Sequence, residues 1–139
     1  MGQQQLLLIV LSVIIVGIAV VVGINMFGAS AVAANQDAVV NDCLNIAAKA
    51  HQWAIKPAGM GGGGNSFSSI DVSDLGMPLK SATEIETENG TYTIDGSAGT
   101  SCAVTGTGVT QDRDGKVCVI ETKVELKGGK ITTTVKDRK

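Results

Sequence analysis

None of the first 36 residues carries an ionisable side chain, and the first to do so is Asp37. Within that stretch Leu6 to Ile24 reads LLLIVLSVIIVGIAVVVGI, with nothing more polar than Ser12 and two glycines. A helix rises about 1.5 Å per residue, so this run matches the roughly 30 Å hydrocarbon core of a bilayer. In lipid a helix satisfies its own backbone hydrogen bonds. A buried strand is a poor alternative, because strands seldom exceed about 10 residues. All 11 basic and 13 acidic residues lie in the rest of the chain, so the molecule is bipartite.

Three readings compete for the apolar run. A cleavable secretory signal needs a basic leading region and a shorter apolar core, and Met1-Gly2-Gln3-Gln4-Gln5 has neither Lys nor Arg. A plain membrane anchor usually carries a basic flank that sets its orientation, and none is present. The third reading is a mature subunit whose basic leader has been removed. The pattern beyond Ile24 favours this third reading. Residues 25–55 contain no proline, and apolar positions recur at Val32, Val39, Cys43, Ile46, Ala50 and Trp53, the spacing of one helix face. Asp37, Asn41, Asp42, Asn45, Lys49 and Gln52 fall on the opposite face. Pro57 disfavours helical geometry in the residue before it, which places the helix end near Lys56. The expectation is one helix of about 50 residues, on the order of 80 Å long, apolar all round in residues 1–28 and on one side only in 29–56.

This arrangement resembles the bacterial type IV pilins and the related pseudopilins. The resemblance implies an α+β fold, in which a long N-terminal helix packs its amphipathic half on an antiparallel sheet of three or four strands. It implies a mature N-terminus at Met1, made by prepilin peptidase and N-methylated. It also implies storage in the inner membrane and later life in an extracellular helical filament, assembled by machinery that includes an ATPase. Met1, Gln3, Gln4 and Gln5 would form the N-terminal assembly contact. The filament core would be built from Leu6, Leu7, Leu8, Ile9, Val10, Leu11, Val13, Ile14, Ile15, Val16, Ile18, Val20, Val21, Val22 and Ile24. Two departures from the family stand out. Position 5 is Gln5 where the family usually has Glu, and a neutral amide cannot neutralise a terminal ammonium. The family's helix-unwinding proline is absent. Gly17, Gly23 and Gly28 are the candidates for that role, since Gly costs about 1 kcal/mol relative to Ala inside a helix. Close approach of helices in a bundle explains the same glycines equally well.

The remainder divides into an irregular connector, 57–90, and a strand-rich end, 91–139. Pro57 to Ser66 is a glycine loop without the GKS or GKT ending or the preceding strand of a phosphate cradle, so it reads as a flexible connector. Glu84, Glu86 and Glu88 alternate along an exposed edge. Thr91–Asp95, Ser101–Thr107, Lys116–Lys127 and Lys130–Lys136 are rich in Val, Ile and Thr and read as strands. A two-residue turn at Gly128-Gly129 would set Leu126 opposite Ile131 and Val124 opposite Thr133.

Cys102 and Cys118 fall in neighbouring predicted strands, and a disulfide between them would add roughly 3 kcal/mol in the chain-entropy model. Cys43 lies on the helix's inner face and reads as a buried free thiol. The three cysteines have no CxxC spacing, so metal binding by them is not expected. Asp112 and Asp114 are a weak calcium candidate, against a hairpin turn that needs no metal. His51, one step off the apolar face, reads as a solvated helix residue. Asn89-Gly90-Thr91 matches a glycosylation sequon.

Several function classes are excluded or disfavoured. A formal net charge of −2 offers no basic field for nucleic acid. Aromatics make up only 3% of the chain, which leaves little material for base-stacking platforms or electron conduction. One histidine rules out multi-His metal centres, and no nucleophile, base and orienting group can be assembled, so an enzyme is not expected. No cofactor is implied. The expected function is a structural filament subunit for surface attachment or motility. The alternatives are a pseudopilin of a secretion system and a single-pass anchored binding domain.

Overall fold

The computed structural model describes residues 2–136. Helix α1, Gly2–Ile55, is one unbroken helix of 54 residues, about 80 Å long. It ends one residue short of the position that Pro57 dictates. The glycine loop after it is an ordered cap rather than a loose connector. The N–H groups of Gly63, Gly64 and Asn65 donate to the carbonyls of Trp53, Lys56 and Ala54 at 2.9, 3.0 and 2.7 Å. Helix ends leave such carbonyls without partners inside the helix, and here the returning chain satisfies them.

Beyond the cap lies a single six-stranded antiparallel sheet, in the meander order β1-β2-β3-β4-β5-β6. The strands are β1 (Leu79–Ser81), β2 (Glu84–Glu86), β3 (Gly90–Asp95), β4 (Ser101–Gln111), β5 (Val117–Glu125) and β6 (Ile131–Lys136). The α+β architecture is the expected one, with six strands in place of three or four. The two extra strands come from the 57–90 segment, where β1 and β2 pair as a short hairpin and β2 continues onto β3. Ile85 is what converts this glutamate-rich stretch into a strand. It is fully buried between the outward-facing Glu84 and Glu86, a minimal period-2 pattern.

The second half of α1 lies across the sheet, chiefly on β4 and β5. Val39, Cys43, Ile46, Ala47, Ala50, Trp53 and Ala54 meet Phe67, Ile85, Tyr92, Val104, Ile120 and Val124 in one core. Each large apolar side chain buried there contributes about 1.5–3 kcal/mol. All six helix positions expected to face the sheet are buried, including Val32 at the upper end of the contact.

β4 runs past its expected end at Thr107 because two glycines bring the helix close to it. A Cβ on Gly106 would lie 2.6 Å from Cys43 Sγ, and one on Gly108 would lie 2.5 Å from Cys118 Sγ and 2.4 Å from Asn35 Oδ1. Such contacts require the buried side chains around them, or the helix itself, to shift. Gly106→Val is therefore expected to destabilise the fold by about 3 kcal/mol, read as a lowered urea midpoint for the full-length chain in detergent. An unchanged midpoint would show that the helix and sheet are less closely packed than this.

Two expectations are corrected. The β5–β6 register pairs Val124 with Ile131 and Thr122 with Thr133, so the connection runs through residues 126–130 instead of a two-residue turn. Gly128 and Gly129 both adopt positive φ inside this longer loop. The slip is by two residues, which leaves every side chain on its expected face. The second correction concerns the expected Cys102–Cys118 disulfide. Cys43, Cys102 and Cys118 are all buried free thiols. In the β4–β5 ladder Cys102 faces Val124 and Thr107 faces Val119, which puts Cys118 across from position 108. Six residues of strand, about 20 Å, separate the two thiols. A bridge requires Cα atoms within about 7 Å.

Candidate assembly surface and the seam that orients it

The first half of α1 projects from the rest of the subunit, with its side chains exposed. Every described residue from Gly2 to Ala31 is exposed except the half-buried Gly23. The large apolar side chains from Leu6 to Ile24 are 52–69% exposed. In a helix, that is about as much exposure as such side chains can have. Soluble monomers rarely expose continuous apolar patches beyond a few hundred Å². This surface surrounds a rod some 30 Å long, so it demands lipid or protein around it. The helix is long and apolar enough to cross a membrane.

The run's internal polarity is settled locally. Ser12 Oγ donates to the carbonyl of Ile9 at 2.8 Å, so the hydroxyl needs no outside partner. Helical hydrogen bonding continues through Gly17, Gly23 and Gly28, and a Cβ on any of them would meet nothing within 4 Å. The three glycines are therefore not demanded by packing within the subunit. Gln3, Gln4 and Gln5 lie exposed in the first turns of the helix, whereas Met1 lies outside the described residues.

The apolar run meets the globular part where the β4–β5 turn reaches α1. Ile24, Asn25, Gly28, Ala29 and Val32 face Gln111, Asp112 and Arg113 across an open groove of about 460 Å³. Asp112 Oδ1 accepts the Arg113 N–H at 2.8 Å, and the Asp112 N–H donates to the Lys116 carbonyl at 2.7 Å, which closes the turn. Among the described residues no group of three or more His, Cys, Asp or Glu is placed to hold a metal ion. Asp112 and Asp114 thus stand as parts of a turn.

A polar seam fixes the angle at which the sheet hangs from the helix. Asp42 Oδ2 accepts three hydrogen bonds, from Tyr92 Oη at 2.7 Å, Asn89 Nδ2 at 2.9 Å and Thr87 Oγ1 at 3.3 Å. Two turns earlier on the same face, Asn35 Nδ2 donates to the Asn89 carbonyl at 3.0 Å, and its Oδ1 accepts the Thr110 N–H at 3.3 Å. The β2–β3 turn is thereby tied to the helix at two heights. Burial of the phenol and its hydrogen bond to the Asp42 carboxylate both push the Tyr92 hydroxyl well above its ordinary pKa, so it stays a donor.

The sequence placed Asp42 on the solvent face, and it attached no role to Asn35. The available signal was their seven-residue spacing beside the apolar stripe, together with a Tyr two residues after an Asn-Gly turn. The sequon asparagine is Asn89 itself. Its Nδ2 is engaged with Asp42, so a glycan there would break the seam. His51 is half-buried, with its ring lying near Gly129 of the β5–β6 loop.

The buried thiols give a chemical test of this packing. Burial, and secondarily the Asp42 charge, push Cys43 from 9.0 up to about 12. Burial, with a smaller contribution from Asp95, raises Cys102 to about 11. Both folded values exceed the unfolded ones, so this stabilisation is full below about pH 9 and is lost as pH rises through 11 and 12. At pH 8 both thiols are expected to resist a maleimide in the native chain. Under denaturing, non-reducing conditions all three cysteines should be alkylated, seen as three added masses. A single added mass would restore the disulfide.

Comparisons with protein-family models, curated proteins and solved structures found no match for this chain. The fold itself, a long apolar-to-amphipathic N-terminal helix on an antiparallel sheet, is compatible with a pilin-like subunit.

Proposed function

We propose that this chain is the structural subunit of a type IV pilus-like filament, held in the inner membrane before assembly and extracellular after it. Its role is architectural rather than catalytic. The observation that carries the reading is the exposed, uncharged helix from Gly2 to Ala31 on a chain whose other half forms a complete core. A domain that merely needed tethering could be joined to its anchor by any linker. Here anchor and core helix are one rigid rod, which transmits the position of the buried half to the sheet outside.

Assembly exchanges lipid contacts for contacts with sibling helices. Lipid tails and leucine side chains are equally apolar, so this exchange has little hydrophobic driving force. The work would come from an assembly ATPase acting on the membrane pool, and Gln3 to Gln5 would solvate the terminal amine of a neighbour through their carbonyl oxygens. The sheet and its loops would coat the fibre, for attachment or motility.

Shearing the cell surface, imaging the released fraction by electron microscopy and weighing its intact subunit tests this directly. The expected result is a thin fibre built of this chain. Recovery of the chain solely as a membrane-bound monomer would instead identify an anchored binding domain.

A further inference from the structure

The sheet is electrically polarised across its width. Residues 79–95, which hold β1 to β3, carry four carboxylates and a single lysine, Lys80. Residues 100–136, which supply β4 to β6, carry six cationic side chains against four carboxylates. Some of these charges are paired within the subunit, Lys80 with Glu86 at 3.8 Å and Lys136 with Glu121. Among the described residues Glu84 and Glu88 on one side, and Lys127 and Lys130 on the other, form no ion pair.

The two edges also match face for face. On the helix side of the sheet, Leu79 of β1 is 56% exposed, and Ile131 and Val135 of β6 are 39% and 53% exposed. These residues follow the inward register, since Leu79 pairs with the buried Ile85, Ile131 with the buried Val124, and Val135 with the buried Ile120. They are uncovered because α1 lies chiefly over β4 and β5 and reaches β6 only slightly. Strand alternation then puts Glu84 and Glu86 on the solvent face at one edge and Lys130 on the same face at the other. β6 is a six-residue edge with no proline and an unbroken ladder on its inner side. Natural sheets usually blunt such an edge.

We propose that copies of this chain meet edge to edge, the β6 edge of one subunit seated against the β1–β2 hairpin of the next. Ile131 and Val135 pack around the neighbour's Leu79, and Lys127 and Lys130 meet the neighbour's Glu84, which stands at the same end of the sheet. The contact joins two different patches, so it repeats head to tail and generates a helix instead of a closed dimer. It rests on the filament reading and adds to it the surface by which the globular halves set the fibre's register.

A zero-length carbodiimide applied to sheared fibres tests the contact. β2 and β6 of one subunit stand about 19 Å apart across the sheet, too far for a link within one chain. The expected product joins a Lys127 or Lys130 peptide to a Glu84 peptide, and between light and heavy subunits in mixed-isotope fibres. The exposed-charge variant Lys127→Glu/Lys130→Glu should cut sheared-fibre yield by roughly tenfold or more while membrane accumulation is unchanged. Adding Glu84→Lys should restore the yield. Wild-type fibres that lack this cross-link, and whose yield ignores the reversal, overturn the edge contact and leave the filament reading standing. A wild type that forms no fibre overturns both.

Discussion

Ile15→Lys is expected to abolish filament formation. Ile15 is the midpoint of the Leu6–Ile24 run, and its side chain is 57% exposed with no partner inside the subunit. At the centre of a membrane-spanning helix a lysine costs about 3 kcal/mol on insertion scales, or about two orders of magnitude in the inserted population. The cost grows in a bundle of sibling helices. There the flexible side chain has no route to water, and an unpaired ammonium in a dry interior is penalised by several kcal/mol. Subunit in the membrane fraction should fall sharply, and sheared fibres should be absent. Ile15→Leu, which conserves volume and polarity, should leave both unchanged. Normal fibres from the lysine variant would mean that this segment faces water in the assembled state.

Asp42→Ala is expected to have the largest effect on the globular half among single polar substitutions. The change leaves Tyr92 Oη, Asn89 Nδ2 and Thr87 Oγ1 without their common acceptor. Tyr92 is fully buried, so its hydroxyl cannot turn to solvent. Hydrogen bonds to a charged acceptor contribute about 1.5–3 kcal/mol each, and an orphaned buried donor costs about 1–3 kcal/mol. Because the three bonds share one oxygen, their losses do not add, and a total of about 3 kcal/mol is expected. Unfolding followed through the near-UV signal of Tyr92 and Trp53 in the full-length chain would measure it. Tyr92→Phe in the Asp42→Ala background should cost markedly less than in the wild type. Equal costs in the two backgrounds would show that the hydrogen bond does not couple the two elements.

Legibility in the sequence tracked the strength of the local signal. The helix was readable to within a residue because nothing competes with it: nineteen apolar residues, an amphipathic continuation and a terminating proline all agree. The strand at Lys116–Lys127 was equally clear, and within it Cys118, Ile120, Thr122 and Val124 alternate on the buried face, with Leu126 partly buried. What failed was distance along the strands. Gly128-Gly129 looks like a two-residue turn, but a register depends on the whole ladder, and the ladder moved it by two. The disulfide failed for the same reason. A strand expected to end at Thr107 runs on to Gln111, so the turn lies farther out and the two cysteines separate. Gly108 disguised that continuation, because a glycine reserved for close helix approach is indistinguishable in sequence from a turn residue. The Asp42 seam was hidden too. Its residues sit more than 40 positions apart, and a half-buried aspartate beside an apolar stripe reads as solvated until its partners arrive through the fold.

The most direct test is photo-crosslinking from inside the rod. A photoreactive residue in place of Val13, activated in cells and analysed in the sheared surface fraction, reports what surrounds the apolar half-helix. The account predicts a ladder of chain-to-chain products in that fraction, with lipid adducts confined to the membrane fraction. Lipid adducts alone, with no chain-to-chain product and no chain in the sheared fraction, would contradict it.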